Sequence, residues 1–464
     1  MSYQDAFEAL NNSDFKAAVP LLEKAARETG YASDLINHAY TIALYRAGEK
    51  SRLADVSFQV ANLLLQSDPA SAMDYFQRAI IAGLDPQRVR RIGEIFEEWA
   101  APRPRVQMHG PIQRVAHIVG SLSPGHPLTH YVKMLVGSLA RKGVQSVIFT
   151  TEGAASWFVN PSGEAPSQPF EGEAATHIAS IEGDFVERAE KIAKSIQTAG
   201  IQVGFFHGDL ADQITARVAA MRPAPVQVNV NHMREMDADL FEGFVHLPPD
   251  GIERTRFSSH HAEWIPPASD IEARLQACEP VTREALGLES ASSVSATFGS
   301  LDNAAGSGYL KALAGILKRF PKHFHLFAGE GNVRAFRGML HSEGVLPRVR
   351  FLGQVADIAA LLDTVDVYLA PESGAGILEA MAAGKPVVTL RNCRAEELVG
   401  IRELSAPGEA NYVEIADRLL RDSSLRQKHG RTLQDRFRAE FRPERLGERY
   451  VAFLNRLVSV LNEK

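Results

Sequence analysis

Two consecutive runs of alternating strand and helix patterns occupy most of this chain and limit how it can fold. The first run begins with RVAHIVGS at 114–121 and continues through the apolar segments SVIFTT, VGFFHG and VQVNVN. Helical patterns, such as the one at 185–199, separate these segments. Strand, helix and strand in this order predict a parallel sheet that is covered by helices on both faces.

A second run of the same kind starts at VSATFG (294–299) and ends with PVVTL (386–390). HFHLFAG (323–329), VRFLG and VDVYLAP are its further strand candidates. We therefore predict an α/β fold with two doubly wound, Rossmann-like domains. Ligands of open parallel sheets bind beyond the carboxyl ends of the strands, so two such domains facing each other would place a cleft between them.

Residues 1–104 differ from the rest because their pattern is helical throughout. Asp14 and Asp68 are candidate helix caps, and the segment LLEKA at 21–25 is similar to YFQRA at 75–79. The pattern predicts an all-helical, tetratricopeptide-like domain. Such a domain either docks a protein partner or covers the next domain, and the sequence leaves both open.

Prolines at 102–111 mark the end of the helical domain. We predict the first α/β domain at 112–250, an interdomain connection at 251–280 and the second α/β domain at 281–440. The remaining residues, 441–464, are predicted as a helix that braces the N-terminal half, with a dimerisation helix as the alternative. Its apolar stripe consists of Tyr450, Leu454, Leu457 and Leu461.

Composition excludes several classes of protein. A hydrophobic fraction of 45% and a charged fraction of 23% are typical of a soluble globular protein. The net charge of -6, without a long basic run, argues against nucleic acid as a partner. Cys278 and Cys393 are far apart and fit reduced thiols. No export signal or apolar run long enough to span a membrane occurs, so we expect a cytoplasmic protein.

The segment APESGAGILEAMAAGKPVV at 370–388 carries the most chemical information. Its small residues Gly374, Ala375 and Gly376 let the chain turn closely from a strand into a helix, where free amides and the helix dipole suit a diphosphate. Glu379 follows one turn later and can accept hydrogen bonds from both hydroxyls of a ribose. Glycine-rich turns of this kind also occur for purely structural reasons.

His126 and His130 are spaced four residues apart at the start of a predicted helix, which places them on one face. A neutral imidazole there can bind a sugar, an acceptor or a phosphate oxygen, so both are candidate catalytic residues. The intervening residues lack the glutamate of a zinc-binding HExxH motif, and we predict no metal. Packed or capping histidines are the structural alternative.

Residues 290–400 resemble the nucleotide-sugar domain of GT-B glycosyltransferases, with LEAMAAGKPVV as the shared core. Two other segments resemble the protein O-GlcNAc transferase family, which includes bacterial adhesin glucosyltransferases. GHPLTH at 125–130 is similar to its histidine motif, and RPAPVQV at 222–228 is similar to one of its strands. The resemblance implies ligand-binding roles for Gly125, for His232 after that strand, and for Glu379 at the ribose.

Gly299 and Gly329, which end two strands of the second run, complete the candidate nucleotide-binding residues. In the resembled family, the loop after the first of these strands carries a lysine that meets the diphosphate, but the nearest position here is Asn303. Arg334 and Lys311 are the nearby residues that can supply positive charge instead.

These observations predict a metal-independent glycosyltransferase without a cofactor, which uses a UDP-sugar as co-substrate. We expect it to move a hexose or N-acetylhexosamine to a protein side chain and, if it follows the resembled family, to invert the anomeric centre. Residues 1–104 are a candidate docking surface for the protein acceptor. A glycan or lipid-linked acceptor and an inactive protein-binding scaffold are the alternatives; the sequence names neither the sugar nor the oligomeric state.

Overall fold

A computed structural model describes most of the 464 residues as two compact units. The described residues are 3–122, 127–151, 175–178, 183–232, 236–247, 261–288, 293–299, 301, 308–355, 357–371, 376–391 and 394–463. The first unit contains Met1–Ile265 and Arg449–Lys464, and the second contains Pro266–Glu448.

In the described part of the chain, six helices precede the first strand. They are α1 (Tyr3–Asn11), α2 (Phe15–Glu28), α3 (Asp34–Ala47), α4 (Lys50–Leu64), α5 (Pro69–Ile81) and α6 (Pro86–Glu98). As predicted, Asp14 and Asp68 cap α2 and α5 by accepting hydrogen bonds from backbone amides. Apolar residues of α5 and α6, such as Phe76 and Ile92, share one buried cluster with the sheet that follows, so the helical region forms part of the first unit.

The described strands of the first unit form a seven-stranded sheet with the order β3-β2-β1-β4-β5-β6-β7, and all its paired strands are parallel. Its strands are β1 (Arg114–Val119), β2 (Gln145–Thr150), β3 (Ala175–Ile178), β4 (Val203–His207), β5 (Val226–Asn231), β6 (Gly243–His246) and β7 (His261–Trp264). The helices between them are α7 (Pro127–Ala140), α8 (Phe185–Thr198) and α9 (Gln213–Ala220). Val119 is in register with both Thr150 and His207, so three strands end at the same level.

The described strands of the second unit form a six-stranded parallel sheet with the order β10-β9-β8-β11-β12-β13. Its strands are β8 (Ser293–Phe298), β9 (His323–Ala328), β10 (Val349–Phe351), β11 (Val367–Leu369), β12 (Val387–Leu390) and β13 (Ser405–Ala406). Its helices are α10 (Ile271–Ala277), α11 (Tyr309–Arg319), α12 (Val333–Ser342), α13 (Ala359–Leu362), α14 (Gly376–Ala382), α15 (Arg394–Val399), α16 (Glu409–Arg421) and α17 (Ser423–Glu440).

The last helix, α18 (Pro443–Glu463), places Tyr450, Leu454 and Leu457 in the interior. The Tyr450 hydroxyl lies 2.7 Å from the hydroxyl of Tyr131 on α7. The C-terminal part of this helix therefore packs within the first unit. Among the described helices, none has the length and apolar character needed to cross a bilayer.

The fold class expected from the sequence is confirmed: two parallel, helix-covered sheets follow a helical region. The segment 251–280, expected to be a connection, differs from that expectation because it contributes β7 to the first sheet and α10 to the second unit. The strand β6 was also missed. Both strands are only four residues long. They are held in place by pairing, β6 with β5 and β7 with β6, rather than by a strong local pattern.

Candidate functional site

Four predicted nucleotide-binding residues lie at the carboxyl edge of the second sheet. Gly299 follows β8 directly, and Gly329 follows β9, whose last residue is in register with that of β8. Gly376 begins α14, the helix after β11, and Glu379 lies in its first turn. The structure therefore brings these residues to the edge at which doubly wound sheets bind ligands.

Two of these glycines are required by close packing. A Cβ atom on Gly329, whose φ is +150°, would lie 1.9 Å from the carbonyl oxygen of Gly299. A Cβ atom on Gly376 would lie 2.5 Å from the Tyr368 hydroxyl and 2.7 Å from Phe298 Cβ. Because only hydrogen fits at either position, α14 begins directly against β8 and β11.

The Glu379 carboxylate is half-buried in the first turn of α14, and its Oε2 atom is shielded from solvent. Burial raises the pKa of Tyr368, and the negative charge of Glu379 adds to this rise. The Tyr368 hydroxyl in turn accepts a hydrogen bond from the backbone amide of Phe298 at 3.1 Å. Glu379 thus stands near the ends of the two central strands, where a ribose ligand is expected.

Two cationic side chains belong to helices that begin at this same edge. Arg334 is exposed in the first turn of α12, shortly after Gly329. Lys311 is exposed in the first turn of α11, which follows β8 in the chain. Five predicted site residues lie outside the described residues: Gly125, His126, Asn303, Gly374 and Ala375.

The first sheet has a second group of candidate residues at its own carboxyl edge. His232 follows β5 and is half-buried, whereas His130 is exposed in the first turn of α7. The ring of His232 meets the neighbouring Tyr131 ring edge-on, with the ring centroids 5.0 Å apart. The structure therefore brings Tyr131, the residue after His130 on α7, next to the residue that follows β5.

Behind His232, two further histidines lie inside the sheet, and sequence reasoning missed both. His207 Nδ1 lies 3.1 Å from His232 Nε2, and His207 Nε2 lies 3.0 Å from His117 Nδ1. His117 Nε2 lies 3.2 Å from the hydroxyl of Ser146. The only sequence signal was a single histidine in each of the otherwise apolar segments RVAHIVGS and VGFFHG.

Burial keeps both of these inner imidazoles neutral. It lowers the pKa of His117 to about 3 and that of His207 well below the ordinary value, and His117 and His232 lower the latter further. Among the residues that the structure describes, no cluster of three His, Cys, Asp or Glu side chains has the arrangement of a metal site.

The segment RPAPVQV supports β5 from inside the protein. Arg222 adopts a φ of +49° and donates a hydrogen bond to Glu242 Oε1 at 2.8 Å. The second carboxylate oxygen accepts the backbone amide of Gln227 at 2.7 Å. The Gln227 side chain donates to the carbonyl oxygens of Ala219 and Leu240. These bonds fix the beginning of the strand that places His232 at its end.

The acidic loop Asp237-Ala-Asp239 contacts the helical region. A Cβ atom on Gly93 of α6 would lie 2.0 Å from the carbonyl oxygen of Asp237. Asp239 forms an ion pair with Arg103, and its backbone amide donates to Glu97. The loop therefore has a packing role.

Residues 294–422 match the family described as Glycosyl transferases group 1. This segment contains all the candidate residues of the second sheet. A mutant of the Thermobaculum terrenum O-GlcNAc transferase has a similar structure, with a TM-score of 0.59 and 18% identity over 99% of this chain and 96% of that one. The fold is that of the GT-B glycosyltransferases.

Other proteins with a GT-B-like structure or related sequence extend this comparison. Anabaena Alr3699/HepE in complex with UDP-glucose has a TM-score of 0.54 at 17% identity, covering 74% of this chain and 99% of that one. The phosphatidyl-myo-inositol mannosyltransferase of Mycobacterium tuberculosis is 34% identical over 111 residues, or 22% of this chain. The chain matches only 27% of the length of this curated relative. Together the comparisons show a segment of the glycosyl transferases group 1 family within a GT-B-like fold.

Proposed function

We propose that this protein is a glycosyltransferase that moves a hexose or N-acetylhexosamine from a UDP-sugar to a protein side chain in the cytoplasm. The observation that carries the proposal is the convergence of Gly299, Gly329, Gly376 and Glu379 at one sheet edge within the matched segment 294–422. Anabaena HepE, which has a similar fold, is described in complex with UDP-glucose.

The proposed chemistry is mainly electrostatic. The leaving group is a nucleoside diphosphate, so groups that stabilise its growing negative charge lower the barrier. Arg334 and Lys311 supply positive charge from the first turns of their helices, and backbone amides at the start of α14 point toward the same ligand. Glu379 holds the ribose. No step in this scheme requires a metal ion or a separate cofactor.

The first unit supplies the acceptor side of the reaction in this proposal. His232 and the pair His126 and His130 orient the sugar and the acceptor nucleophile, which attacks the anomeric carbon directly and inverts it. We also propose that residues 1–104 dock the protein acceptor. Leu35 and Leu63 in this region have exposed fractions of 67% and 55%, which leaves apolar surface for a partner.

The decisive binding test is the substitution Glu379→Ala, measured by calorimetric titration with UDP. Losing a hydrogen-bonding carboxylate should weaken UDP binding by about 1–3 kcal/mol. Glu414→Ala is a matched control because Glu414 is an exposed carboxylate on α16. Equal UDP affinity in wild type and Glu379→Ala would remove the assignment of this edge to the nucleotide.

A second candidate function is transfer to a glycan or lipid-linked acceptor. It is favoured by the match to a mannosyltransferase whose name specifies phosphatidyl-myo-inositol. Incubating the protein with labelled UDP-sugars and separate peptide, oligosaccharide and lipid acceptors distinguishes the two. Product on the peptide alone supports protein glycosylation, and product on either of the others supports the second candidate. The absence of UDP binding and of UDP-sugar hydrolysis would favour an inactive scaffold.

A further inference from the structure

A line of hydrogen bonds connects Ser146, through His117 and His207, to His232. Its direction, meaning which group donates in each bond, follows from the chemistry of the groups. A neutral imidazole has one N–H donor and one ring nitrogen that accepts. Burial lowers the pKa values of His117 and His207 far enough to keep both neutral near neutral pH. Each of these rings therefore donates to one neighbour and accepts from the other.

Ser146 decides which way the line runs. It is fully buried, and in the described part of the chain its hydroxyl has His117 Nε2 as its hydrogen-bond partner, at 3.2 Å. If the ring donated to this hydroxyl, the Ser146 O–H would be left buried without an acceptor, which is costly. The hydroxyl must therefore donate to His117 Nε2.

The positions of the other protons follow from the hydrogen bond that Ser146 donates. Because His117 Nε2 accepts, His117 carries its proton on Nδ1 and donates to His207 Nε2, 3.0 Å away. His207 then carries its proton on Nδ1 and donates to His232 Nε2 at 3.1 Å. With Nε2 engaged as an acceptor, a neutral His232 must carry its own proton on Nδ1.

We propose that Ser146, His117 and His207 are positioning residues that hold His232 as the Nδ1–H tautomer, so that the ring nitrogen not bonded to His207 is a donor and not an acceptor. The consequence for catalysis rests on the proposed function, in which His232 belongs to the acceptor side of the reaction. His232 accordingly acts as a donor and not as the base that removes the acceptor's proton, since its one accepting nitrogen is occupied by His207.

The tautomer is measured directly in the full-length protein labelled with ¹⁵N-histidine. Long-range proton–nitrogen correlation spectra distinguish a protonated, pyrrole-type nitrogen from a pyridine-type nitrogen, and single substitutions assign the signals. We expect a pyrrole-type Nδ1 and a pyridine-type Nε2 in His117, His207 and His232. A pyrrole-type Nε2 in His207 or His232, or two protonated nitrogens at neutral pH, would overturn the proposal.

Ser146→Ala tests whether the serine sets the direction. Losing its hydrogen bond should raise the population of the opposite His232 tautomer about fivefold and move the His232 signals toward an average. Ser295→Ala is the matched control, because Ser295 is equally buried and bonded to histidines, but in the second sheet. Unchanged His232 signals in Ser146→Ala would contradict the role of this serine.

Substitutions at His232 separate a donor from a base. The amide side chain introduced by His232→Gln cannot act as a base, yet it can accept a hydrogen bond from His207 and still donate an N–H. We expect UDP-sugar turnover to be at least about tenfold higher in His232→Gln than in His232→Phe. Equal, large losses in both variants would show that His232 is the base.

This outcome remains separate from the proposed function. If the spectra show the expected tautomers but the wild-type protein neither binds UDP nor uses a UDP-sugar, then the proposed function fails and the positioning of His232 stands. If UDP binds but His232 carries its proton on Nε2, the reverse holds.

Discussion

The two sheets each contain a buried line of histidines and hydroxyl groups, but the lines end differently. In the first sheet, the line reaches His232, a half-buried residue at the carboxyl edge. In the second sheet, the line ends on a backbone carbonyl, because the Thr297 hydroxyl donates to Leu369 O at 2.6 Å. The second line runs through Ser293, His323, Ser295, His325, Tyr309 and Thr297.

This difference separates a structural network from one that serves a site. A line that ends on a carbonyl oxygen has every donor satisfied inside the sheet, so it stabilises the strands and offers nothing to a ligand. A line that ends at an imidazole on the carboxyl edge determines which nitrogen of that ring carries the proton. The comparison therefore predicts that changes in the second line alter stability alone, whereas changes in the first alter the properties of His232.

The largest expected effect concerns how closely the backbone is packed within the carboxyl edge of each sheet. Gly329→Ala should destabilise the second unit by more than about 4 kcal/mol, because the new Cβ would lie 1.9 Å from Gly299 O and φ is +150°. Gly208→Ala, after β4, should change stability by less than about 1 kcal/mol, since its Cβ would meet only side-chain atoms at 3.8 Å. Urea unfolding of both variants measures the contrast, and equal midpoints would refute it.

The next effect compares two carboxylates, one in each half, that accept a backbone amide near the start of a strand: Glu242 at β5 and Asp366 at β8. Glu242 pairs with Arg222 in the interior, with side-chain exposures of 6% and 4%, whereas Asp366 and Arg283 are exposed by 24% and 35%. Glu242→Ala leaves a buried cation unpaired and should cost about 3–5 kcal/mol. Asp366→Ala loses a partly solvated pair and the amide of Val294, and should cost about 1–2 kcal/mol. Equal losses of unfolding free energy would contradict this ranking.

Acid should weaken both sheets through their neutral histidines. Burial lowers the pKa of His323 to about 4, with a contribution from Arg348, and that of His117 to about 3. The unfolded chain takes up these protons near pH 6.5, so the stabilisation is complete above that pH and is lost as the pH falls toward about 4. Urea unfolding between about pH 7.5 and about pH 5 should show the loss.

Removing one such histidine tests this pH dependence in each sheet. His117→Gln and His323→Gln should each reduce the slope of the unfolding free energy against pH by about 1.4 kcal/mol per pH unit, which corresponds to the uptake of about one proton. An unchanged slope in either variant would mean that the replaced ring is already protonated in the folded protein.

The sequence predicted what depends on local pattern and missed what depends on distant pairing. The two doubly wound domains were predictable because strand and helix periods alternate along the chain. Gly376 and Glu379 were predictable because the chain turn before α14 and the first turn of α14 are adjacent in the sequence. In contrast, His117 and His207 are 90 residues apart and meet only because β1 pairs with β4. No local signal records that pairing.

The resemblance of RPAPVQV to a family motif likewise pointed to this strand without explaining it. The motif's arginine is paired with Glu242, which follows β5 and precedes β6, so its role appears only when those strands are assembled. The side-chain amide nitrogen of Gln227 donates hydrogen bonds to carbonyl oxygens of two neighbouring segments. A residue type typical of a ligand site is thus used here to fix the strand that carries His232.

The smallest expected effect compares two serines with equal burial and different numbers of bonds. The Ser146 hydroxyl makes one hydrogen bond to a histidine, whereas the Ser295 hydroxyl lies 2.8 Å from His323 Nε2 and 2.7 Å from His325 Nδ1. Ser146→Ala should therefore cost about 1 kcal/mol and Ser295→Ala about 2 kcal/mol in unfolding free energy. Calorimetric UDP titrations run beside the unfolding curves should be unaffected by Ser295→Ala once the protein is folded. If Ser146→Ala costs as much stability as Ser295→Ala, the first line has a further bond at its inner end, and the direction inferred for it loses its basis.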